Sequence, residues 1–298
     1  MLSSPVQAAL WALASAITFS ASSAAAKFLG AKLPTAELAF FRAAAGAVVL
    51  VVVWRLVADL GKAKDPVGYG LRCGLGVLAL YAFMYALGAA PLALVFLIFF
   101  TRALMLPVAA RVMLGERSSP VVWVAVVVGF VGAALPLVPA LQEPQQALGV
   151  LAALVAAIAT AGSQTTVRRL TEAGNAPGMV VLIYSAASVL GTLPAALPSW
   201  VTPPTADWPV LAALGLFGVA AQYTAAKAFS RASVGFLAPL DFLAVPAAAG
   251  LGWLLFGEMP GILTGIGAVI VLVAAAVVVI GSAQTRQFRR PVEQLAKV

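Results

Sequence analysis

Three charged residues lie deep inside long apolar segments of the sequence. Asp241 stands within FLAPLDFLAV, residues 236–245, and Arg42 and Arg102 interrupt two other apolar runs. If those runs cross a bilayer, each central charge costs about 2.5–3.5 kcal/mol on insertion scales, and such residues usually face a protein interior or a water-filled cavity. Asp241 and Arg102 are therefore candidates for binding a polar solute, and a structural ion pair between them is the competing interpretation.

Aromatic and amide side chains in other apolar runs form a second group of candidates. Tyr81 and Tyr85 are four residues apart and so share one face of a helix. Phe99 adds aromatic surface, and Tyr184 and Gln164 add polar tips in the second half of the chain. An aromatic cavity with a few hydrogen-bonding groups suits a zwitterion with an apolar side chain. Packing, or contact with lipid, is the alternative for each of them.

The residue types available exclude several kinds of catalysis. The chain has no histidine, and Cys73 is its single cysteine. His-ligated metal sites, histidine general bases and an internal disulfide are thereby excluded, and no nucleotide-binding or hydrolase motif is present. We predict no cofactor and no metal, and expect any energy source to be a gradient. An intramembrane enzyme acting on lipid-linked substrates is a remaining alternative.

Composition identifies the solvent that surrounds these candidates. Hydrophobic residues make up 63% of the 298 residues and charged residues only 9%, against about 25% charged in ordinary soluble domains. The bulk solvent must be lipid. The net charge of +8 is spread over short gaps between apolar runs, as orientation charges are, so no nucleic-acid partner is predicted.

Ten segments are long and apolar enough to be transmembrane helices. We place them at residues 6–29, 35–56, 69–88, 91–113, 119–139, 147–168, 178–198, 209–229, 233–256 and 260–282, and number them spans one to ten. The first lacks the basic n-region of a signal peptide and exceeds its usual length, so we expect a retained span.

The basic residues predict the orientation of these spans. With the N-terminus in the cytoplasm, fourteen of the eighteen Lys and Arg residues lie on the cytoplasmic side, in loops or at span ends, and two lie on the opposite side. The remaining two, Arg42 and Arg102, lie deep within spans. This bias supports an even number of spans with both termini inside.

An internal repeat divides the chain into halves at residues 1–140 and 141–298. Residues 85–116 match residues 227–258 without a gap at an offset of 142, and Gly115-Glu116 meets Gly257-Glu258. Five spans per half is an odd number, so the halves insert with opposite orientation. Inverted repeats are typical of alternating-access transporters that bind substrate near the midplane. Duplication kept only for packing is the alternative.

Prolines and two cations are predicted to have structural or gating roles. Pro107 in span four and Pro239 and Pro246 in span nine should interrupt the hydrogen bonding of related helices. Arg42 could snorkel or bind carbonyl groups of another helix. Lys227, near the end of span eight, is expected to snorkel or set orientation.

The order of these features resembles the EamA family of the drug/metabolite transporter (DMT) superfamily. The resemblance rests on the two five-span halves with Gly-Glu turns, on LAFFRAAAGAVVL around Arg42, and on LGVLAALVAAIATAGSQTTVRRL at the start of the second half. It implies ten helices, cytoplasmic termini and export of small metabolites across the bacterial inner membrane. Within the family, the chain is most similar to YddG-type exporters of aromatic and other neutral amino acids. No binding role is carried onto the Gly-Glu site.

These expectations combine into one functional hypothesis with alternatives. We expect an all-α, ten-helix secondary transporter of small neutral metabolites, with amino acids, including aromatic ones, as the leading substrates. We expect it to act in the lipid bilayer as a monomer or weak dimer. Transport of a nucleoside, sugar derivative or drug-like cation is the first alternative, and a channel is another.

Overall fold

The computed structural model describes most of the chain. The described ranges are residues 4–53, 63–115, 120–135, 142–175, 177–229, 244–274 and 276–277. Every regular element within these ranges is a helix. The prediction of an all-α fold is therefore confirmed.

The helices coincide with the predicted spans. The first half contains α1 Ser4–Gly30, α2 Thr35–Val53, α3 Pro66–Ala89, α4 Leu92–Phe100, α5 Arg102–Leu114 and α6 Pro120–Ala134. The second half contains α7 Pro144–Glu172, α8 Pro177–Ala196, α9 Trp208–Phe229, α10 Ala244–Phe256 and α11 Ile262–Ala274. Helices α4 and α5 share span four, and each other predicted span contains one helix.

Several helical segments have the length and composition needed to cross a membrane. Five qualify within the described ranges: Ala9–Gly30, Pro66–Ala89, Leu92–Leu114, Pro144–Val167 and Met179–Ser199. Each has at least 21 residues, and a rise of about 1.5 Å per residue carries such a helix across about 30 Å of hydrocarbon. The fold is that of a multi-pass membrane protein.

Helix packing repeats itself between the two halves of the chain. Helix α1 packs against α9, and α3 packs against α7. In the repeat, span one corresponds to span six and span three to span eight. The α1–α9 contact joins spans one and eight, and the α3–α7 contact joins spans six and three, which are their repeat equivalents. Helices α2 and α8 pack together, as do α4 and α10, so each pairs with its own counterpart. Spans four and nine therefore lie against each other over the described part of span nine.

Two ion pairs join the helix pairs α3–α7 and α1–α9. Their aspartates are separated by the same offset as the internal repeat. Asp65 accepts hydrogen bonds from Arg169, with Nε–Oδ2 at 2.6 Å and Nη2–Oδ1 at 3.0 Å. Asp207 Oδ1 lies 2.6 Å from Lys32 Nζ. The two aspartates are 142 residues apart, and each directly precedes a helix. Five spans separate them, so they lie at opposite ends of the bundle.

Glu258 fixes the N-terminus of α4. Its Oε2 accepts the backbone N–H of Leu92 at 2.8 Å, and its Oε1 lies 2.7 Å from Lys27 Nζ. Lys27 Nζ also donates to the carbonyl of Ala90 at 2.6 Å. The first N–H groups of a helix lack intrahelical acceptors, and a carboxylate suits this positive end. All nine residues of α4 are buried, so Glu258 positions a central helix.

Span four is interrupted at Thr101, and the predicted structural or gating role of Pro107 stays a prediction. Helix α5 continues through Pro107, which is buried. At the break, the backbone N–H and the hydroxyl of Thr101 both donate to the carbonyl of Ile98, at 3.1 and 2.6 Å. This i−3 bonding tightens the last turn of α4. The hydrogen bond of the Thr101 hydroxyl thus helps to end α4, and α5 begins at the next residue.

We expect Glu258→Gln to lower the free energy of unfolding by about 2 kcal/mol. The amide can still accept the N–H of Leu92, but Lys27 loses its counterion within a mostly enclosed site. Thermal unfolding of the detergent-purified protein measures the effect. Glu143→Gln is the matched control because Glu143 is exposed. Equal unfolding midpoints for the two variants would contradict the anchoring role.

The Asp65–Arg169 pair predicts a pH-dependent contribution to stability. Hydrogen bonds from Arg169, and then from the N–H of Gly68, hold the pKa of Asp65 below its usual value. A carboxyl whose pKa is lower in the folded than in the unfolded state stabilises the fold at pH values above its unfolded pKa of about 3.9. This contribution is lost as the pH falls through the folded pKa. Asp65→Asn should therefore unfold more easily than wild type at pH 7, and the difference should shrink below about pH 4. A difference that is constant with pH would refute this.

Candidate substrate site

Five phenylalanines form an aromatic cluster where α1, α3 and α4 meet. The ring centroids of Phe83 and Phe99 are 4.4 Å apart, and those of Phe19 and Phe96 are 5.3 Å apart. Phe100 completes the cluster, with its centroid 6.0 Å from that of Phe96. Phe99, predicted as a site residue, is thus placed among other aromatic rings and 8% exposed.

Arg102 lies against this cluster. Its guanidinium carbon is 4.1 Å from the ring centroid of Phe100 and 4.6 Å from that of Phe99. A guanidinium over an aromatic face is stabilised by the ring quadrupole. Asp241, its predicted partner, lies outside the described residues, so the Asp241–Arg102 pair stays a prediction.

Arg42 approaches the cluster from α2. Its Nη1 donates to the hydroxyl of Ser22 at 3.0 Å, and its guanidinium carbon is 5.5 Å from the ring centroid of Phe19. Ser22 in turn donates to the carbonyl of Leu214 at 2.8 Å. Arg42 was expected to snorkel or to bind carbonyl groups of another helix, and its partner in the structure is a hydroxyl of α1.

Arg72 and Tyr184 form the closest cation–aromatic contact of the site. The Arg72 guanidinium carbon is 3.7 Å from the ring centroid of Tyr184, and Nη1 donates to the hydroxyl of Ser163. Gly76 makes room for the ring, since a Cβ there would lie 2.2 Å from Tyr184 Cε2. Arg72 was not among the predicted site residues, and its side chain joins α3 to α7 through Ser163 and to α8 through Tyr184.

The remaining predicted binding residues are dispersed. The hydroxyl of Tyr81 donates to the carbonyls of Gly191 and Thr192 at 3.2 and 3.1 Å, so it serves contact between α3 and α8. Tyr85 is 39% exposed on the outer surface of α3, and Gln164 is exposed on α7. No ring pair and no side-chain hydrogen bond among the described residues joins these three to the phenylalanine cluster.

Two of the predicted gating residues fall at the limits of the described chain. Pro246 lies in the first described turn of α10 and is exposed. The backbone of Lys227 belongs to α9, while its side chain is outside the described part. Pro239 lies outside the described residues, and its predicted role stays a prediction.

The site therefore combines residues that were predicted with residues that were not. Phe99, Arg102, Arg42 and Tyr184 were predicted, whereas the aromatic and hydroxyl partners of the arginines were not. The segment FSASSAAA at residues 19–26 held a usable signal, because hydroxyl and small residues in a membrane helix favour close interhelical contact. Chemically, the arrangement offers guanidinium groups beside aromatic faces.

Comparison with known proteins identifies the class of protein. A family model described as the EamA-like transporter family matches residues 6–138 and 147–280, one match in each half. The chain belongs to the EamA-like transporter family. It is a multi-pass membrane protein, consistent with the bacterial inner membrane. The predicted EamA resemblance is confirmed, while the narrower likeness to YddG-type exporters stays a prediction.

The chain is similar to several proteins that are named as transporters. The chain is 30% identical over 267 residues to the pseudopaline exporter CntI of Pseudomonas aeruginosa, covering 89% of this chain and 93% of the relative. It is 30% identical over 274 residues to the S-adenosylmethionine uptake transporter of Rickettsia bellii, covering 90% and 92%. It is 26% identical over 279 residues to the riboflavin transporter of Vibrio cholerae, covering 91% and 92%.

A solved crystal structure has the same fold. It matches with a TM-score of 0.59 and 20% identity, over 94% of this chain and 97% of that chain. At this identity the likeness establishes the fold alone.

Placement of Tyr184 against α3 predicts opposite effects for two Gly→Ala substitutions on that helix. Gly76→Ala forces the Tyr184 ring to move and should cost about 1–3 kcal/mol of stability. Gly74→Ala is the matched control, because nothing lies within 4 Å of a Cβ there and alanine favours the helix by up to about 1 kcal/mol. Thermal unfolding of both variants measures this. If Gly76→Ala is as stable as Gly74→Ala, the described ring position is wrong.

Proposed function

We propose that the protein is a secondary transporter that exports small neutral metabolites by alternating access, with amino acids, including aromatic ones, as the leading substrates. The observation that carries this is the phenylalanine cluster with Arg42 and Arg102 at its edge. The cluster suits an aromatic or aliphatic side chain, and a guanidinium suits a carboxylate. An amino acid carries both groups.

The relatives support a transport function but do not indicate which substrate this chain transports. Their names include an exporter and an uptake transporter, and they give three different solutes. Specificity must therefore come from the residues of the site in this chain. Another metabolite, such as a nucleoside, sugar derivative or cation, is the alternative that the transport experiment below tests.

The proposed topology is two inverted repeats with both termini in the cytoplasm. Residues 1–140 form one repeat and residues 141–298 the other, within a protein that acts as a monomer or weak dimer. The exchanged contacts α1–α9 and α3–α7 support the repeat. The aspartates at offset 142, five spans apart, support its inversion.

Counterflow in liposomes tests the substrate assignment. Vesicles loaded with unlabelled phenylalanine should take up labelled phenylalanine, and a pH gradient reports coupling in the same assay. Phe99→Ala should raise the KM for aromatic amino acids about tenfold by removing a buried ring worth about 1.5 kcal/mol. Phe217→Ala is the control, since Phe217 is exposed on α9. Counterflow of no amino acid would overturn the assignment.

Cysteine labelling tests the orientation. In a Cys73→Ser background, Lys64→Cys and Glu143→Cys each place one thiol at an exposed position between spans. Membrane-impermeant maleimide applied to intact cells should label position 143 and reach position 64 only after permeabilisation. The reverse pattern would place the N-terminus outside.

A further inference from the structure

Glu37 is a buried acid with no part in the substrate site described above. It lies in the first turn of α2, and the residue is 0% exposed. Its Oε2 accepts the backbone N–H of Val201 at 3.1 Å. Its Oε1 is also buried and has no hydrogen-bond partner among the described residues. Within the described chain, a single N–H is therefore the only hydrogen-bond donor to this carboxyl group.

The cations in and before α2 are bound to other groups. Lys27 Nζ lies 2.7 Å from Glu258 Oε1, and Lys32 Nζ lies 2.6 Å from Asp207 Oδ1. Arg42, on α2 itself, donates to a hydroxyl of α1. None of these three cations pairs with the carboxyl group in the first turn of α2.

The helices that pack against α2 provide no counterion either. These helices are α1, α3, α8 and α9. Besides Lys27 on α1, their titratable or cationic residues are Tyr69, Arg72, Cys73, Tyr81, Tyr85, Tyr184, Tyr223 and Lys227. Within the described part of the chain, none of them forms an ion pair with Glu37 or donates a hydrogen bond to it.

The internal repeat shows that packing does not require an acid at this position. Helices α2 and α8 begin at Thr35 and Pro177, which are 142 residues apart, so Glu37 corresponds to Met179. Met179 is 2% exposed. The equivalent buried position in the other half thus holds an apolar side chain of similar length. The carboxyl group of Glu37 therefore has a reason other than filling space.

An ionised carboxylate at this position would lack a counterion. Removing a carboxylate from water carries a large penalty unless the charge is paired and hydrogen-bonded. About two or three backbone N–H bonds can hold a carboxylate ionised, and Glu37 accepts one. Binding a proton at Oε1 removes the charge, and a proton requires no cavity. The surroundings of Glu37 thus favour the neutral carboxyl group.

A short non-helical segment covers this part of α2. Residues 200–204 have no regular secondary structure, and Val201, whose N–H binds the carboxyl group, is 46% exposed. The ring centroid of Trp200 lies 5.7 Å from that of Phe40 and 5.6 Å from that of Phe41. These two phenylalanines follow the acid by three and four residues and so share its helix face. The carboxyl group therefore lies beneath a segment that reaches the protein surface.

We propose that Glu37 is a proton-binding site of this transporter, which carries a proton on Oε1 while residues 200–204 cover it and exchanges that proton with bulk water when the segment moves away. On release, the proton passes to a water molecule and the charged carboxylate is hydrated. On binding, a hydronium ion returns the proton. The purpose of the site, which is to couple transport to a pH gradient, rests on the proposed transport function. Proton binding itself can be measured without transport.

Infrared spectroscopy tests for the bound proton directly. A protonated carboxyl group has a C=O stretching band that a carboxylate lacks. The detergent-purified wild type should show this band at neutral pH, and Glu37→Gln should lose the contribution of one carboxyl group. Glu143→Gln is the matched control, because Glu143 is exposed, and its band should equal that of wild type. Equal bands in wild type and Glu37→Gln would overturn the proposal.

Transport in liposomes tests the coupling. A pH gradient should drive net movement of labelled phenylalanine in wild type and in Glu143→Gln. Glu37→Gln should lose this response and keep counterflow, in which substrate exchanges without net proton movement. The glutamine oxygen can still accept the N–H of Val201, so a purely structural role would leave the gradient response intact and overturn the coupling. Loss of counterflow as well would also overturn it, because Glu37 would then serve a step that exchange shares.

Glu37→Met keeps the test decisive if the glutamine variant does not fold, because Met179 occupies the equivalent buried position. Methionine has no titratable group, so this variant should also lose the carboxyl band and the gradient response. Glu37→Asp retains a carboxyl group and should retain the band. A gradient response that persists in Glu37→Met would overturn the coupling.

Failure of this proposal is distinguishable from failure of the proposed function. Counterflow of amino acids, with equal carboxyl bands in wild type and Glu37→Gln, would keep the transport assignment and remove the proton site. A band that is lost in Glu37→Gln, without counterflow of any amino acid, would keep the proton site and move the substrate class to another metabolite.

Discussion

The hydrogen-bonded carboxylate of Glu258 is the interaction on which the centre of the molecule depends. In hydrocarbon no water satisfies the first N–H groups of a helix, so the start of α4 needs acceptors from the protein. Glu258 supplies one to Leu92, and Lys27 neutralises it while binding the carbonyl of Ala90. Because α4 is buried along its whole length, this one anchor positions Phe96, Phe99 and Phe100 as a unit.

The two aspartate ion pairs stabilise equivalent helix contacts in the two halves of the chain. Asp65–Arg169 holds α3 to α7, and Asp207–Lys32 holds α1 to α9, at opposite ends of the bundle. Both ion pairs are formed in this structure, and each joins two helices. The symmetry is incomplete elsewhere: α1 packs against α3, whereas the equivalent α7 and α9 are not among the closely packed pairs of the described chain. A transporter held in one of two states has to break its own pseudo-symmetry somewhere.

The positions of the helices were predicted better than the side-chain contacts of the candidate site. Apolar length fixed ten spans because lipid permits few alternatives, but the Thr101 break was missed since it depends on one hydroxyl bonding Ile98. The contact between Arg72 and Tyr184 was not predicted, because sequence alone does not show that Gly76 makes room for the Tyr184 ring. Tyr81 was predicted to line a cavity, yet its hydroxyl is used by carbonyls of α8. Side-chain contacts between helices depend on how the helices pack, and the periodicity of a single helix carries no information about that packing.

The charges of the candidate site bear on which substrates the proposed function can include. Arg42, Arg72 and Arg102 give the site a positive field, and each faces an aromatic ring. A solute bearing only positive charge would meet repulsion in a low-dielectric region, where charges interact strongly. A zwitterion can place its carboxylate at the arginines and its ammonium over the remaining aromatic faces, as cation–π contacts allow. In the proposed function, the arginines bind the carboxylate of the amino acid and the phenylalanines bind the side chain attached to it.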